Sequence, residues 1–319
     1  MAVPPNVPWP AGAKPLLSRQ VVMHTEATMD FSTFHSKAWD DHVTVAREVA
    51  QRLSEGVPLV TTESQLTQLA NLAHHVHGSH LGEWRAGTAF IESLITLPPF
   101  QPEGTSGQSL RRYLASLALS AGDNSAAGLD TLSPSDRIQV RAMAAANLAE
   151  HDATRSMGLL QAALDQAARA GLDAADPMNR SLAVAGNNLA CVLEEKLDRS
   201  DVERELMILA AKTARHYWAI AGTWLETERA EYRLAMTWLQ AGDLAQARSH
   251  AQSCLEIVAA NDGAALERLF GWEALGLVER AAGNPTGHAH ALARAREAFT
   301  ELEESEKAWC AQSIATLTA

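Results

Sequence analysis

Residues 230–259, AEYRLAMTWLQAGDLAQARSHAQSCLEIVA, contain two amphipathic segments separated by a glycine turn. Leu234, Ala235 and Trp238 lie at helical spacing before the turn at Gly242-Asp243, and alanines recur at helical spacing after it. Small side chains at the contact positions let two helices pack at a short distance. The stretch therefore predicts a pair of antiparallel helices.

A leucine followed by a small residue recurs along most of the chain, and the tripeptide Asn-Leu-Ala occurs three times. Successive leucines are 42, 34, 41, 45 and 41 residues apart, which is typical of stacked helix pairs. The six dipeptides are Leu72-Ala73, Leu114-Ala115, Leu148-Ala149, Leu189-Ala190, Leu234-Ala235 and Leu275-Gly276. We therefore predict an all-α chain of about six antiparallel helix pairs.

The pattern at 228–283 resembles the tetratricopeptide repeat (TPR), in which Leu, a small residue and an aromatic mark the first helix and Gly marks the turn. Trp272, Leu275 and Gly276 repeat this spacing in the next unit. Glu231 stands where a Trp is usual in the family, and the final Pro is missing. The resemblance covers about residues 60–305 and implies a right-handed α-solenoid, a TPR-like superhelix.

Composition along the chain predicts three regions. Residues 1–25 are proline-rich and predict a mobile tail, residues 26–305 the repeat array, and residues 306–319 a capping segment. Prolines and glycines at 98–107 predict either a long loop or a boundary between subdomains. The apolar stripe at 31–55 predicts one amphipathic helix that covers the first repeat.

The acidic balance and the cysteine usage limit the classes of partner. The chain has 38 acidic and 26 basic residues, a formal net charge of −12, which disfavours nucleic acid and anionic lipid. No run approaches the roughly 18 apolar residues that span a membrane. Cys191, Cys254 and Cys310 form no paired pattern, so we expect a reducing, cytoplasmic setting. The sequence predicts no cofactor.

By resemblance to TPR arrays, the residue before each signature leucine faces a concave groove. The residues at this position include three asparagines, and Asn can donate and accept hydrogen bonds along an extended peptide. Arg229 lies one helical turn before Arg233, which makes a basic pair. TPR domains that grip a C-terminal carboxylate use such side chains. The predicted groove residues are Asn71, Tyr113, Asn147, Asn188, Arg229 and Arg233.

The helix around the first signature leucine has clear end signals. Thr61 or Thr62, with Gln65, predicts a capping box at its start, and Gly78 predicts its end. His74 and His77 lie three residues apart near that end, and this spacing could place two ligands on one metal ion. We treat them as groove or capping histidines in preference to a metal site, because no acidic residue completes the ligand set.

Nucleophile, phosphate-binding and zinc-protease motifs are absent from the sequence. Asp40, Asp41, His42 and Glu48 could perform acid-base chemistry, but neighbouring acidic residues on a helix are usually its solvated face. The sequence therefore favours a noncatalytic protein over an enzyme.

Three functions follow from these patterns. The first is a scaffold whose groove binds a peptide or an extended segment of a protein not yet identified. The second is a sensor subunit, similar to bacterial peptide-responsive regulators, that needs a separate DNA-binding partner. The third is a metal-binding protein or metalloenzyme that uses His74 and His77. The C-terminal residues Trp309, Ile314 and Leu317 either cap the array or form a homodimer contact.

Overall fold

The computed structural model describes residues 30–318, and the regular structure in this range is helical throughout. The prediction of an all-α fold is confirmed for these residues. The predicted tail at 1–25 lies outside the described residues. The α-helices are α1 (Phe31–Asp41), α2 (Ala46–Gly56), α3 (Glu63–His75), α4 (Trp84–Leu94), α5 (Thr105–Ser120), α6 (Asn124–Ala127), α7 (Pro134–Leu148), α8 (Ala153–Ala170), α9 (Pro177–Glu195), α10 (Asp201–Ala221), α11 (Trp224–Ala241), α12 (Leu244–Ala260), α13 (Ala265–Ala281), α14 (Pro285–Thr300) and α15 (Glu304–Thr318).

The described helices belong to two compact units, which comprise residues 30–181 and 182–318. The border between them lies inside α9. The stretch 98–107, in contrast, lies inside the first unit. Residues 98–104 belong to the connection between α4 and α5, which pack against each other, and residues 105–107 begin α5. Glu63 at the start of α3 holds the first turn of α5 in place. Its carboxylate accepts hydrogen bonds from the backbone N–H and the hydroxyl of Ser106, both 2.9 Å long.

In the first unit, every second helix from α3 to α7 packs beside the next one of that series. α3 packs against both α4 and α5, α5 packs against α7, and α7 packs against α8. α1 and α2 pack against each other and against α3. An apolar cluster extends from α1 to α5, and its members include Phe31, Phe34, Leu53, Leu66, Leu69, Ile91 and Leu117.

The second unit has a similar pattern of packing. α11 packs against α12 and α13, and α13 packs against α14. α15 packs against α13 and α14, where Leu317 is fully buried beside Gly276. Residues 306–318 of the predicted capping segment are therefore helical and pack on α13 and α14, and their capping role stays a prediction. Its apolar core includes Tyr232, Ala251, Leu269, Phe270, Ala295 and Cys310.

Two predicted signals at helix ends, the capping box at Thr62 and the turn at Gly242-Asp243, act as the sequence predicts. The N–H of Gln65 donates to Thr62 Oγ1, and the N–H of Thr62 donates to Gln65 Oε1, both at 3.2 Å, which forms the expected capping box. Gly242 ends α11 with φ +84°, a left-handed conformation that glycine adopts without a steric penalty. Asp243 then caps α12 by accepting from the N–H of Gln246 at 3.0 Å.

The prediction of one helix at 31–55 is wrong, since α1 and α2 are separated by a turn at 42–45. Val43, Thr44 and Val45 form a β-branched run, which lowers helix propensity. The N–H and the hydroxyl of Thr44 both donate to the carbonyl of Asp41, at 3.1 Å each. These local bonds compete with the helical ones and place His42 in the turn.

Gly78 does not end the helix that contains α3. The chain continues from α3 into a π-helical turn at Val76–His80, and the N–H of Leu81 donates to the carbonyl of Val76 at 3.1 Å. A π turn pairs residues i and i+5, so side chains five positions apart lie near each other. This turn determines which histidines of the region meet.

Candidate functional site

The predicted groove residues of the first unit have three different environments. Asn71 is exposed on α3. Tyr113 is partly buried, and its ring stacks on the imidazole of His74 with the centroids 5.0 Å apart. Burial raises the pKa of Tyr113 to about 12. Asn147 has no exposed surface.

Asn147 uses its amide inside the protein. Its Nδ2 donates to Ser120 Oγ at 3.2 Å and lies 3.4 Å from His74 Nε2, while its Oδ1 accepts from the hydroxyl of Ser79 at 3.1 Å. These bonds connect α7 to α3, to α5 and to the π turn. The buried position corrects the expectation that this side chain projects into an open groove.

In the second unit, Asn188 keeps part of its side chain accessible, whereas the two arginines contact acidic residues of neighbouring helices. Arg229 on α11 forms an ion pair with Glu267 on α13, with an N–O distance of 3.3 Å. Arg233 is 4% exposed, and its guanidinium binds Glu194 on α9. This position also differs from the predicted one, because a buried ion pair occupies the arginine.

Several buried carboxyl groups accompany these arginines, and the sequence patterns did not reveal them. Thr237 donates from its hydroxyl to Glu194, and burial raises the pKa of Glu194 although Arg233 beside it acts in the opposite direction. Cys254 Sγ donates to Glu228 Oε1 at 2.7 Å. Tyr232 donates to Glu273 Oε2 at 3.2 Å. Burial raises the pKa of Glu228 to about 7.

His74 and His77, the predicted metal pair, contact different partners. His74 Nε2 lies 2.7 Å from Ser116 Oγ, and burial lowers the pKa of His74 to about 4. His77 Nδ1 lies 3.6 Å from a carboxylate oxygen of Glu83. His74 and His77 belong to no group of three or more possible metal ligands among the described residues.

Three other histidines come together instead. One ring nitrogen from each of His42, His75 and His80 lies within 4.8 Å of the other two, and all three side chains are partly buried. His75 and His80 are closest, with 3.1 Å between their Nε2 atoms. Among the described residues, this is the one group of histidine, cysteine or acidic side chains with metal-binding spacing.

The positions of the three histidines follow from the two corrected elements. The turn between α1 and α2 carries His42, and the π turn carries His80 over His75, five residues earlier. In a regular α-helix, residues five apart point to different faces, so α-helical spacing selects His74 and His77. The histidines between residues 74 and 80 indicate a possible metal site in the sequence. That His42 joins two of them depends on tertiary packing, which sequence spacing does not reveal.

Trp39 forms one side of the three-histidine cluster. Its ring stacks on His75 with the centroids 5.3 Å apart and meets His42 edge-on at 4.8 Å. His42 Nδ1 contacts the carbonyl of Trp39. Burial, followed by the neighbouring His80 and His42, holds the pKa of His75 well below its usual range. His75 is therefore a neutral imidazole at neutral pH, the form that binds metals.

A comparison of the chain with known protein families, curated proteins and solved structures found no match. The TPR resemblance accordingly depends on the residues of this chain alone. Within residues 30–318, no helix combines the length and the apolar character needed to cross a bilayer.

Proposed function

We propose that each unit stacks its helix pairs in the right-handed solenoid arrangement of TPR-like repeats. Support comes from the packing of first helices on one another, which is seen for α3 with α5, α5 with α7 and α11 with α13. α9 and α10 also approach closely, since a Cβ on Gly186 would lie 2.6 Å from the carbonyl oxygen of Ala210. The proposed pairs are α3/α4, α5/α6, α7/α8, α9/α10, α11/α12 and α13/α14.

The function that follows is noncatalytic binding of an extended segment of another protein. The observation that carries this proposal is the set of ion pairs between first helices in the second unit. Glu194 and Arg233 join α9 to α11, and Arg229 and Glu267 join α11 to α13. First helices fixed side by side align their accessible residues in one row, as peptide-binding repeat proteins require.

Asn188 and Arg229 are the residues of that row that we assign to the partner. Asn188 remains partly accessible on the same helix as Glu194, nearly two turns earlier in α9. Arg229 contacts Glu267 at an N–O distance of 3.3 Å, and its guanidinium is the kind of group that binds carboxylates through paired hydrogen bonds. The partner that we assign to these two side chains is an extended peptide that ends in a free carboxylate.

A displayed library of random heptapeptides with free C-termini tests this function. We expect the full chain to enrich a consensus sequence, and Asn188→Ala and Arg229→Lys to weaken its binding at least tenfold. Lysine keeps the positive charge beside Glu267 but loses the planar fork of the guanidinium. Arg294→Lys on α14, where the arginine pairs with exposed Glu297, is the matched control and should bind normally. Enriched peptides that bind all three variants equally, or no enrichment, would refute the proposal.

A further inference from the structure

The three-histidine cluster lies outside the surface proposed for the protein partner. It is formed by residues of the first unit alone, from two stretches of sequence that are 33 residues apart, as given by 75 − 42. Three imidazoles whose nitrogens face each other are an unusual way to fill space. Apolar side chains would pack there without the cost of placing several polar nitrogens together.

The ring contacts show how the three imidazoles are held. His42 Nδ1 contacts the carbonyl of Trp39, and because a carbonyl only accepts, this contact needs a proton on Nδ1. Metal-binding histidines commonly donate their other ring N–H to such a carbonyl. The Nε2 atoms of His75 and His80 are within hydrogen-bond distance, so one of them carries a proton that a metal ion would displace. One ring nitrogen of each of the three histidines lies within 4.8 Å of the other two.

The distances are close to those of a tetrahedral zinc site. Zinc–nitrogen bonds of about 2.05 Å at tetrahedral angles place ligand nitrogens about 3.3 Å apart. The Nε2 atoms of His75 and His80 are 3.1 Å apart, and the whole set of three lies within 4.8 Å.

We propose that His42, His75 and His80 together bind one Zn²⁺ ion, with water or an added ligand in the fourth position. Zinc is well suited to neutral imidazole ligands and to tetrahedral coordination. The bound ion would connect the α1–α2 turn to the end of α3 and the π turn. This inference does not depend on the proposed protein partner.

Equilibrium binding of Zn²⁺ to the untagged full chain, after removal of bound metal with a chelator, tests the site. We expect one zinc per chain by elemental analysis and a rise in melting temperature when Zn²⁺ is added. His42→Asn, His75→Gln and His80→Asn should each weaken binding more than tenfold in competition with a chromophoric chelator. Removal of a group that only hydrogen-bonds to a metal ligand lowers metal affinity about 10–100-fold. Removal of a ligand itself should lower zinc affinity by at least as much.

Two control variants test whether zinc binds at the three-histidine cluster or at other histidines of the chain. His77→Asn removes a histidine of the same segment and should leave zinc affinity unchanged, as should His216→Asn on α10. Co²⁺ in place of Zn²⁺ should give the visible absorption of tetrahedral coordination, and His42→Asn should abolish it while circular dichroism shows that the helices remain. Absence of stoichiometric zinc, or weaker binding by His77→Asn with normal binding by His42→Asn, would overturn the proposal.

Discussion

Arg233 on α11 is buried and bound to Glu194 on α9, so its charge stabilises a contact between helices. Arg233→Met should destabilise the fold by about 3–5 kcal/mol, because it leaves a buried carboxylate without its cation. The double variant Glu194→Leu, Arg233→Met should recover most of this loss. Urea unfolding measures both, with Arg294→Met as the exposed control, expected within about 0.5 kcal/mol of the native chain. A double variant as unstable as the single one would contradict this account.

Glu228 on α11 makes stability depend on pH in a defined direction. Burial raises its pKa from 4.5 to about 7, with Glu267 adding to the effect and Arg229 and Cys254 opposing it. The folded protein therefore favours the protonated form of Glu228. This preference adds to the free energy of unfolding, fully below pH 4.5, and the added stability is lost as the pH rises to about 7. Glu228→Gln should reduce the loss of unfolding free energy with rising pH by about 3 kcal/mol. The smaller loss caused by Glu273, whose pKa burial raises to about 6, should remain. Urea unfolding at pH 5 and pH 8 checks this, and an unchanged difference between the two would exclude Glu228 as its source.

Among the helical elements, the π turn at Val76–His80 depends on a contact that only a small residue permits. A Cβ on Gly78 would lie 2.6 Å from Oδ1 of Asn147, whereas a Cβ on Gly158 in α8 would meet no atom within 4 Å. Gly78→Ala should therefore destabilise the protein by about 1–3 kcal/mol through overpacking. Gly158→Ala should stabilise it by about 0.5–1 kcal/mol through helix propensity. Thermal unfolding shows whether each substitution raises or lowers the melting temperature. A rise for both Gly78→Ala and Gly158→Ala would contradict the packing of Gly78 against Asn147.

Elements whose ends depend on local chemistry could be predicted from the sequence. The capping box of Thr62 and Gln65 and the turn at Gly242-Asp243 are formed by residues within three or four positions of each other. The π turn and the α1–α2 turn could not be predicted in the same way. Asn147, 69 residues beyond Gly78 by 147 − 78, occupies the space against which the π turn closes. Sequence spacing carries no information about such a contact.

For the molecule as a whole, the recurrence of Leu-Ala predicted an all-α chain, because each helix pair needs the same close contacts. It did not predict the border between the two units inside α9, since an uninterrupted helix leaves no mark in composition. The groove prediction placed Asn147 and Arg233 at a surface, although the structure uses both in the interior. A repeat register identifies a helix face, but the neighbouring helices decide whether that face is covered.

The three-histidine cluster depends on local turns and on tertiary packing together, because His42 lies in the α1–α2 turn, His75 ends α3 and His80 lies in the π turn. Anomalous scattering at the zinc edge, from crystals of the zinc-loaded full chain, tests it most directly. We predict a single strong peak about 2.0–2.1 Å from one nitrogen of each of His42, His75 and His80. A peak at His74 and His77, or no peak in the first unit, would contradict the account.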